Sequence, residues 1–383
     1  MIYMIGNAHI DPVWLWQWQE GYQEVKATFQ SALDRLDESE DFVFTAACAE
    51  YYRWVEESCP PMFEKIRARV AEGRWRIVGG MWIQPDCNMP SGEAFARHFL
   101  YSQRYFKEKF GVTVRTGYNV DSFGHSAMLP ALLKRGGIEN YVFLRPDSFE
   151  NSKLPGPLFR WFAPDGSSVT AFRIIDGYGS RYGSVQEDVA AALAEEKRTG
   201  FPIMCFYGVG NHGGGPTRRN LNIASIHEYQ KHGEKGEEVI FSDPDAYFEA
   251  VKAQGLKLPE WRTELQHHAS GCYSALSRIK RLNRLAEERL GAAEKYLTLA
   301  QALGYPMDFS PIARAWKIVC FHQFHDVMGG CIIRDAYEDA VRALGGAVFA
   351  ADEAANQALQ TIAWHINTGA PTGGKVEGLL WTG

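Results

Sequence analysis

His9 and Asp11 stand two residues apart directly after an apolar run, Ile2 to Gly6. In extended backbone, residues i and i+2 point the same way, so an imidazole and a carboxylate at this spacing can grip one cation. Standing alone, the same pair more often does no more than cap a strand. Trp14, close behind, is either a core residue or a flat stacking platform. A second constellation, Gly117-Tyr118-Asn119-Val120-Asp121-Ser122-Phe123-Gly124-His125-Ser126, again ends a strand-like run ahead of an expected helix start. Asp121 is there either an N-cap or a carboxylate aimed into a site.

A third cluster, His322-Gln323-Phe324-His325-Asp326, places imidazoles at i and i+3 on one expected helical face. A histidine at a helix end can simply meet the C-terminal carbonyls. Beside an aspartate in a crevice between domains, it can also be a ligand. The fourth segment, Tyr207 to Thr217, contains the run Gly213-Gly214-Gly215 and reads as a shaped loop after a strand. It has no lysine at the P-loop position, which rejects nucleotide binding.

Elements must hold these groups in place. Strand-like runs (Ile2 to Gly6, Val43 to Ala47, Trp75 to Gly79, Arg115 to Val120, Tyr141 to Leu144, Val169 to Ile174, Ile203 to Tyr207) alternate with helix-like ones (Tyr22 to Leu36, Tyr51 to Ala71, Gly92 to Lys109, Val185 to Lys197). That alternation predicts a parallel α/β sheet or barrel with its functional groups at the C-terminal strand ends. Beyond about Pro259 the pattern turns helical, with Ser277 to Leu303, Pro311 to Phe324 and Arg334 to Ile366 predicting a three-helix bundle. The expected divisions are 1–260, 261–366 and a Gly- and Thr-rich end, 367–383, which reads as the start of a further region.

A formal net charge of -6 leaves no basic surplus for phosphate contacts, so the chain is read as binding no nucleic acid. No apolar run approaches the length of about 18 residues that spans a bilayer. The seven cysteines are scattered without a C-x-x-C pair and read as reduced thiols. With no signal-like N-terminus, the expectation is a cytoplasmic protein and no membrane partner.

In this order and at these separations, NAHIDPVWLW, NVDSFGHS, YGVGNHGGGPT, SRIKRLNR and HQFHD resemble the blocks of glycoside hydrolase family 38, the α-mannosidases, in their bacterial form. The resemblance runs from residue 5 to about residue 335. It implies a seven-stranded β/α barrel followed by a three-helix bundle that completes a metal site. It also implies large C-terminal β-sandwich domains beyond this chain, and homo-oligomers. Position by position, it makes His9, Asp11, Asp121 and His325 the metal ligands, zinc the usual ion with another divalent cation able to substitute, and Asp121 the nucleophile of a retaining reaction. It places Trp14 and Phe123 against the sugar and has Asp326 bond its hydroxyls. The substrate implied is a terminal α-linked mannoside.

One position departs from the pattern. Where many relatives carry an acid/base Asp in the Gly-rich loop this chain has Asn211, whose amide cannot protonate a leaving group. His212, Asp147, Asp176 and Glu264 are the remaining candidates, and the acid is left unassigned. Two other readings stand beside the enzyme: a catalytically impaired mannose-binding fragment, and a metal-dependent sugar deacetylase. A ligand on the helical bundle argues against the deacetylase.

Overall fold

The computed structural model describes residues 1–180, 185–221 and 239–369. The expected boundary region 367–383 therefore lies mostly outside the described residues. In chain order the strands are β1 (Ile2–Asn7), β2 (Phe44–Ala46), β3 (Trp75–Ile77), β4 (Thr116–Asn119), β5 (Asn140–Phe143), β6 (Leu158–Phe162), β7 (Ser168–Arg173), β8 (Ile203–Tyr207), β9 (Val239–Phe241) and β10 (Glu260–Trp261). The helices are α1 (Trp18–Glu38), α2 (Ala49–Ser58), α3 (Pro60–Ala71), α4 (Gly92–Phe110), α5 (Leu129–Arg135), α6 (Gln186–Thr199), α7 (Pro244–Ala253), α8 (Ser277–Ala302), α9 (Ser310–His322), α10 (His325–Gly329) and α11 (Arg334–Trp364).

β1 is buried along its whole length, as a strand covered on both faces must be. It pairs in parallel with β8 on one side and with β2 and β9 on the other, and β3 extends the sheet beyond β2. The second sheet runs β10-β6-β7-β5-β4. The expected seven-stranded barrel is not what the hydrogen bonds draw. Among the described residues they form two five-stranded sheets that do not close into a ring. The links among the described residues are isolated ones, such as Gly79 N–H to Thr116 C=O (2.8 Å), Ser180 N–H to Gly208 C=O (3.0 Å) and Tyr118 O–H to Asn7 Oδ1 (3.1 Å). The expected parallel order also fails at β6 and β7, an antiparallel pair. The tight turn at Asp165-Gly166 reverses the chain there, with Gly166 at φ 85°.

Two helical expectations change as well. The run from Tyr51 to Ala71 is two helices, because Pro60 and Pro61 begin a new one and cannot continue the old. The run from Pro311 to Phe324 stops at His322, and His325 opens the separate α10, so the two imidazoles do not share a helical face.

The bundle is formed by α8, α9 and α11. α11 buries Ala336, Ala340, Leu344, Ala347, Ala351, Ala354 and Ala358. That three- and four-residue spacing makes one narrow stripe of mostly small side chains, which lets α11 lie close along α8. No helix among the described residues is long and apolar enough to cross a membrane.

Candidate metal centre

Parallel pairing aims the C-terminal ends of β1, β2, β3 and β8 the same way in one sheet and those of β4 and β5 in the other, and the chemistry-bearing loops follow those ends. After β1 the backbone stays extended through Ile10, which bridges Asn211 in the loop after β8. Asn211 N–H donates to His9 C=O (2.6 Å), and Asp11 N–H donates to Asn211 C=O (2.8 Å). Tyr51 O–H donates to Ile10 C=O (2.7 Å) and Trp16 Nε1–H to Asp11 C=O (2.8 Å). The His-x-Asp segment is thus held from both sides, and its two side chains meet, His9 Nε2 lying 2.7 Å from Asp11 Oδ1. Gly208 lets the loop come this close, since a Cβ there would lie 2.1 Å from Asn7 C=O.

Asp121 follows β4. The next helix begins only at Leu129, so Asp121 is not an N-cap, and its carboxylate turns into the site instead. Asp121 Oδ2 lies 3.8 Å from His9 Nε2 and 3.9 Å from His325 Nε2. Its Oδ1 accepts from Arg145 Nε–H. His325 arrives from the bundle side on a backbone bridge between Phe324 and Pro85, and His325 Nδ1–H donates to Gln84 C=O (3.0 Å). That bond fixes the tautomer and leaves Nε2 bare, 3.8 Å from Asp11 Oδ1.

His9, Asp11, Asp121 and His325 each offer one atom, and these atoms lie within 4.8 Å of one another. All four residues are buried. His9 Nε2, Asp11 Oδ1 and His325 Nε2 have no hydrogen-bond partner; the short approach of His9 to Asp11 is not angled as a hydrogen bond. Other buried atoms of this chain, such as Trp82 Nε1 and Trp316 Nε1, also lack partners; what sets these three apart is that they converge on one point. Two imidazoles and two carboxylates suit zinc, whose tetrahedral bonds of about 2.0–2.2 Å put ligand atoms about 3.3 Å apart, within the observed spread.

Charge distribution agrees with a cation site. Burial works against the charged form of His9, but Asp11 and Asp121 outweigh it and its pKa is raised. His325 sits farther from the carboxylates, and burial pushes it down to about 4. For Asp121, burial is opposed by His9, His325 and Arg145, which together hold its carboxyl below the usual range. Asp326 is pushed well up by burial and by the neighbouring Asp11 and Asp121. Its Oδ1 accepts from the Cys331 thiol (3.0 Å).

Of the other expected residues, Trp14 is half-buried, edge-on to Trp16 at 5.6 Å, and is not a core side chain. Phe123 stands edge-on to His325 at 5.6 Å. His322 turns away, its ring bonded to Ile318 C=O. A cleft of about 590 Å³ contains Arg145, Asp147, Asp176, Tyr178 and Asn211 in its walls. Of the acid candidates, Asp147 and Asp176 line it. His212 instead faces Glu20 (2.9 Å) and Glu24 (3.7 Å). Glu264 is exposed and is not among the residues lining the cleft.

Sequence reasoning missed Arg145 and Tyr178. Tyr178 packs on the His9 ring at 4.8 Å and donates to Asn211 Oδ1 (2.9 Å). Arg145, a charged residue just past the strand at Tyr141 to Leu144, carried a signal: strand C-terminal ends are where such groups act.

Residues 1–264 match the glycosyl hydrolases family 38 N-terminal domain, and residues 267–362 the alpha mannosidase middle domain. The chain is 31% identical over 343 residues to alpha-mannosidase G of Dictyostelium discoideum, covering 89% of this chain and 31% of that protein. It is 30% identical over 346 residues to human alpha-mannosidase 2C1, covering 89% and 33%. The chain therefore spans about a third of the length of the curated relatives it matches. In fold it resembles the crystal structure of an alpha-mannosidase from Enterococcus faecalis V583, with a TM-score of 0.84 at 19% identity, covering 96% of this chain and 43% of that one.

Proposed function

The chain belongs to glycosyl hydrolase family 38, and on that premise we propose that it is the catalytic region of a zinc-dependent, retaining α-mannosidase acting on terminal α-linked mannose. The observation that carries this reading is the convergence of His9, Asp11, Asp121 and His325, with bare buried atoms facing one another. When bound there, zinc supplies a Lewis acid that anchors adjacent sugar hydroxyls and favours distortion toward an oxocarbenium-like transition state.

The side chains divide the remaining work. Asp121 turns one oxygen toward the imidazoles and the other toward Arg145, so the carboxylate is fixed and kept ionised. It attacks the anomeric carbon as the glycosidic C–O bond breaks. Water then displaces the Asp121 carboxylate from the face that the leaving group vacated, and the two inversions give net retention. Trp14 and Phe123 present apolar faces to the ring, and Asp326 bonds a sugar hydroxyl. With Asn211 unable to give a proton, Asp147 and Asp176 on the cleft wall are the candidates for leaving-group protonation, a contribution of about 10²–10⁴-fold.

The test is metal content of the purified chain and hydrolysis of an aryl α-mannoside before chelation, after it, and after zinc is returned. The expected result is one zinc per chain, with turnover lost and regained. At saturating zinc, Asp121→Asn should retain mannoside binding and lower kcat by about 10³-fold or more. Zinc and mannoside bound without any wild-type turnover would replace this reading with a mannose-binding region, an outcome that Asn211 and the short span relative to the family make worth testing.

A further inference from the structure

We propose that His125 is a positioning residue that orients Arg145, and through it Asp121, by a one-directional hydrogen-bond relay that leaves the β4 strand end and returns to it. The inference rests on the mannosidase reading only for its effect on turnover. His125 belongs to the NVDSFGHS block, is fully buried, and has no part in the chemistry described above.

Four bonds make the relay. Asn119 Nδ2–H donates to Tyr141 Oη (3.1 Å), Tyr141 O–H donates to His125 Nδ1 (2.9 Å), and His125 Nε2–H donates to Arg145 C=O (2.9 Å). Arg145 Nε–H then donates to Asp121 Oδ1. The directions follow from the last acceptors. A carbonyl only accepts, so His125 Nε2 carries the proton; the neutral ring then has a bare Nδ1, and Tyr141 must be its donor. Burial pushes His125 down to about 3, so the ring stays neutral and the tautomer does not change around neutral pH. Aligned bonds polarise one another along the run from Asn119 through Tyr141 and His125 to the Arg145 carbonyl; beyond it the effect on Asp121 is positional, because the saturated Arg145 side chain lies between that carbonyl and the guanidinium.

The ring has little freedom to do otherwise. Its backbone exchanges both hydrogen bonds with Leu265 (2.8 and 2.9 Å), and its faces and edges meet Tyr141, Phe143 and Trp161. Asn119 and Asp121 are two residues apart, so the relay closes a loop from the nucleophile's own strand through a second strand and back. Arg145 is thereby held from its carbonyl as well as from its guanidinium.

The test is heteronuclear NMR of the zinc-loaded full chain with labelled histidine and arginine. His125 should show the Nε2–H tautomer, and Arg145 should show a slowly exchanging, downfield Nε–H. Tyr141→Phe should release the tautomer and shift that Arg145 signal. His125→Gln, which keeps an Nε2–H donor at similar reach, should preserve it, and His125→Leu should lose it. On an aryl α-mannoside, His125→Leu should lower kcat about 10–100-fold with KM changed by less than about threefold, and His125→Gln should recover most of the loss. An Nδ1–H or doubly protonated ring in the wild type overturns the relay, as does a folded His125→Leu chain with an unaltered Arg145 signal and kcat. If His125→Leu fails to fold, the wild-type tautomer and Tyr141→Phe decide. A wild type with the expected spectra and no turnover keeps the relay and removes the mannosidase reading.

Discussion

The proposed metal centre and the seam that delivers His325 to it are both buried, yet most of their polar atoms are treated in opposite ways. At the centre, His9 Nε2, Asp11 Oδ1 and His325 Nε2 converge without partners. At the seam, Gln323 accepts from His98 on α4 (3.0 Å) and donates to Asn283 Oδ1 and Glu287 Oε1 on α8 (2.8 Å each). Its backbone carbonyl accepts from Asp86 N–H (2.9 Å). Burial pushes His98 down to about 4, so the ring is neutral and donates to Gln323 through Nε2–H. The seam leaves His98 Nδ1 and Asp86 Oδ2 without partners, but both ends of the Gln323 amide are paired; a largely paired buried network fixes one docking geometry, whereas buried atoms that meet unpaired leave room for a ligand. Only Phe324 separates Gln323 from His325, so the seam is the means by which a bundle residue joins the proposed ligands that follow β1 and β4.

Removing a ligand should have the largest effect. His325→Ala takes away one of the two imidazoles and should weaken zinc binding by more than about 100-fold, measured by competition with a chromophoric chelator. Gln323→Leu touches no ligand. It should nonetheless weaken zinc by about 10–100-fold, because His325 loses its support, and should also lower stability by about 1–3 kcal/mol by leaving Asn283, Glu287 and His98 short of partners. A Gln323→Leu chain that binds zinc as wild type does would separate seam from centre and refute the coupling.

Much of this was legible beforehand, for reasons that can be stated. His9 and Asp11 were readable as a pair because extended backbone repeats its direction every two residues, a local rule. The Ile2, Ile203 and Thr116 strands and the three long bundle helices were readable from apolar runs and from Leu and Ala spacing. Closure of the sheet was not: whether β3 meets β4 depends on twist and register between strands far apart in sequence, and here the two strands do not pair, Gly79 N–H alone reaching Thr116 C=O from just past β3 among the described residues. The antiparallel β6 was missed because Leu158 to Phe162 has no helix before β7 to mark it as a separate unit. Arg145 and Gln323 escaped because their partners, Asp121 and the pair Asn283 and Glu287, come together only in three dimensions. A single sequence also left Asp147 and Asp176 level with His212; in the structure the two aspartates line the cleft that holds Arg145 and Tyr178, while His212 faces Glu20 and Glu24.

The smallest expected effect concerns an isolated unpaired atom on the seam itself. Asp86 is fully buried; its Oδ1 accepts from the N–H groups of Asn88 (2.9 Å) and Met89 (2.7 Å), while Oδ2 has no partner. Burial raises its carboxyl to about 6, against the pull of those two N–H groups and of Lys280. The folded state therefore holds this proton more tightly than the unfolded chain, whose carboxyl titrates near 3.8. Stability from this group is greatest below the unfolded value, falls as pH rises through the interval between the two, and is flat above about 6. Asp86→Asn keeps the Oδ1 acceptor and removes the ionisation, so it should abolish that slope. At neutral pH it should stabilise the chain by about 1–3 kcal/mol, the upper end being the full two-unit shift and the lower end allowing for an amide N–H2 left without a partner. Zinc affinity should not change. The measurement is denaturant unfolding of both chains at several pH values on either side of the interval, taking the difference so that the other carboxylates cancel. If Asp86→Asn instead loses zinc, the lone atom belongs to the centre, and counting converging unpaired atoms is the wrong way to tell a site from a stability cost. If the difference is flat with pH, Asp86 is ionised in the fold, and Lys280 is a closer partner to it than the bonding pattern shows.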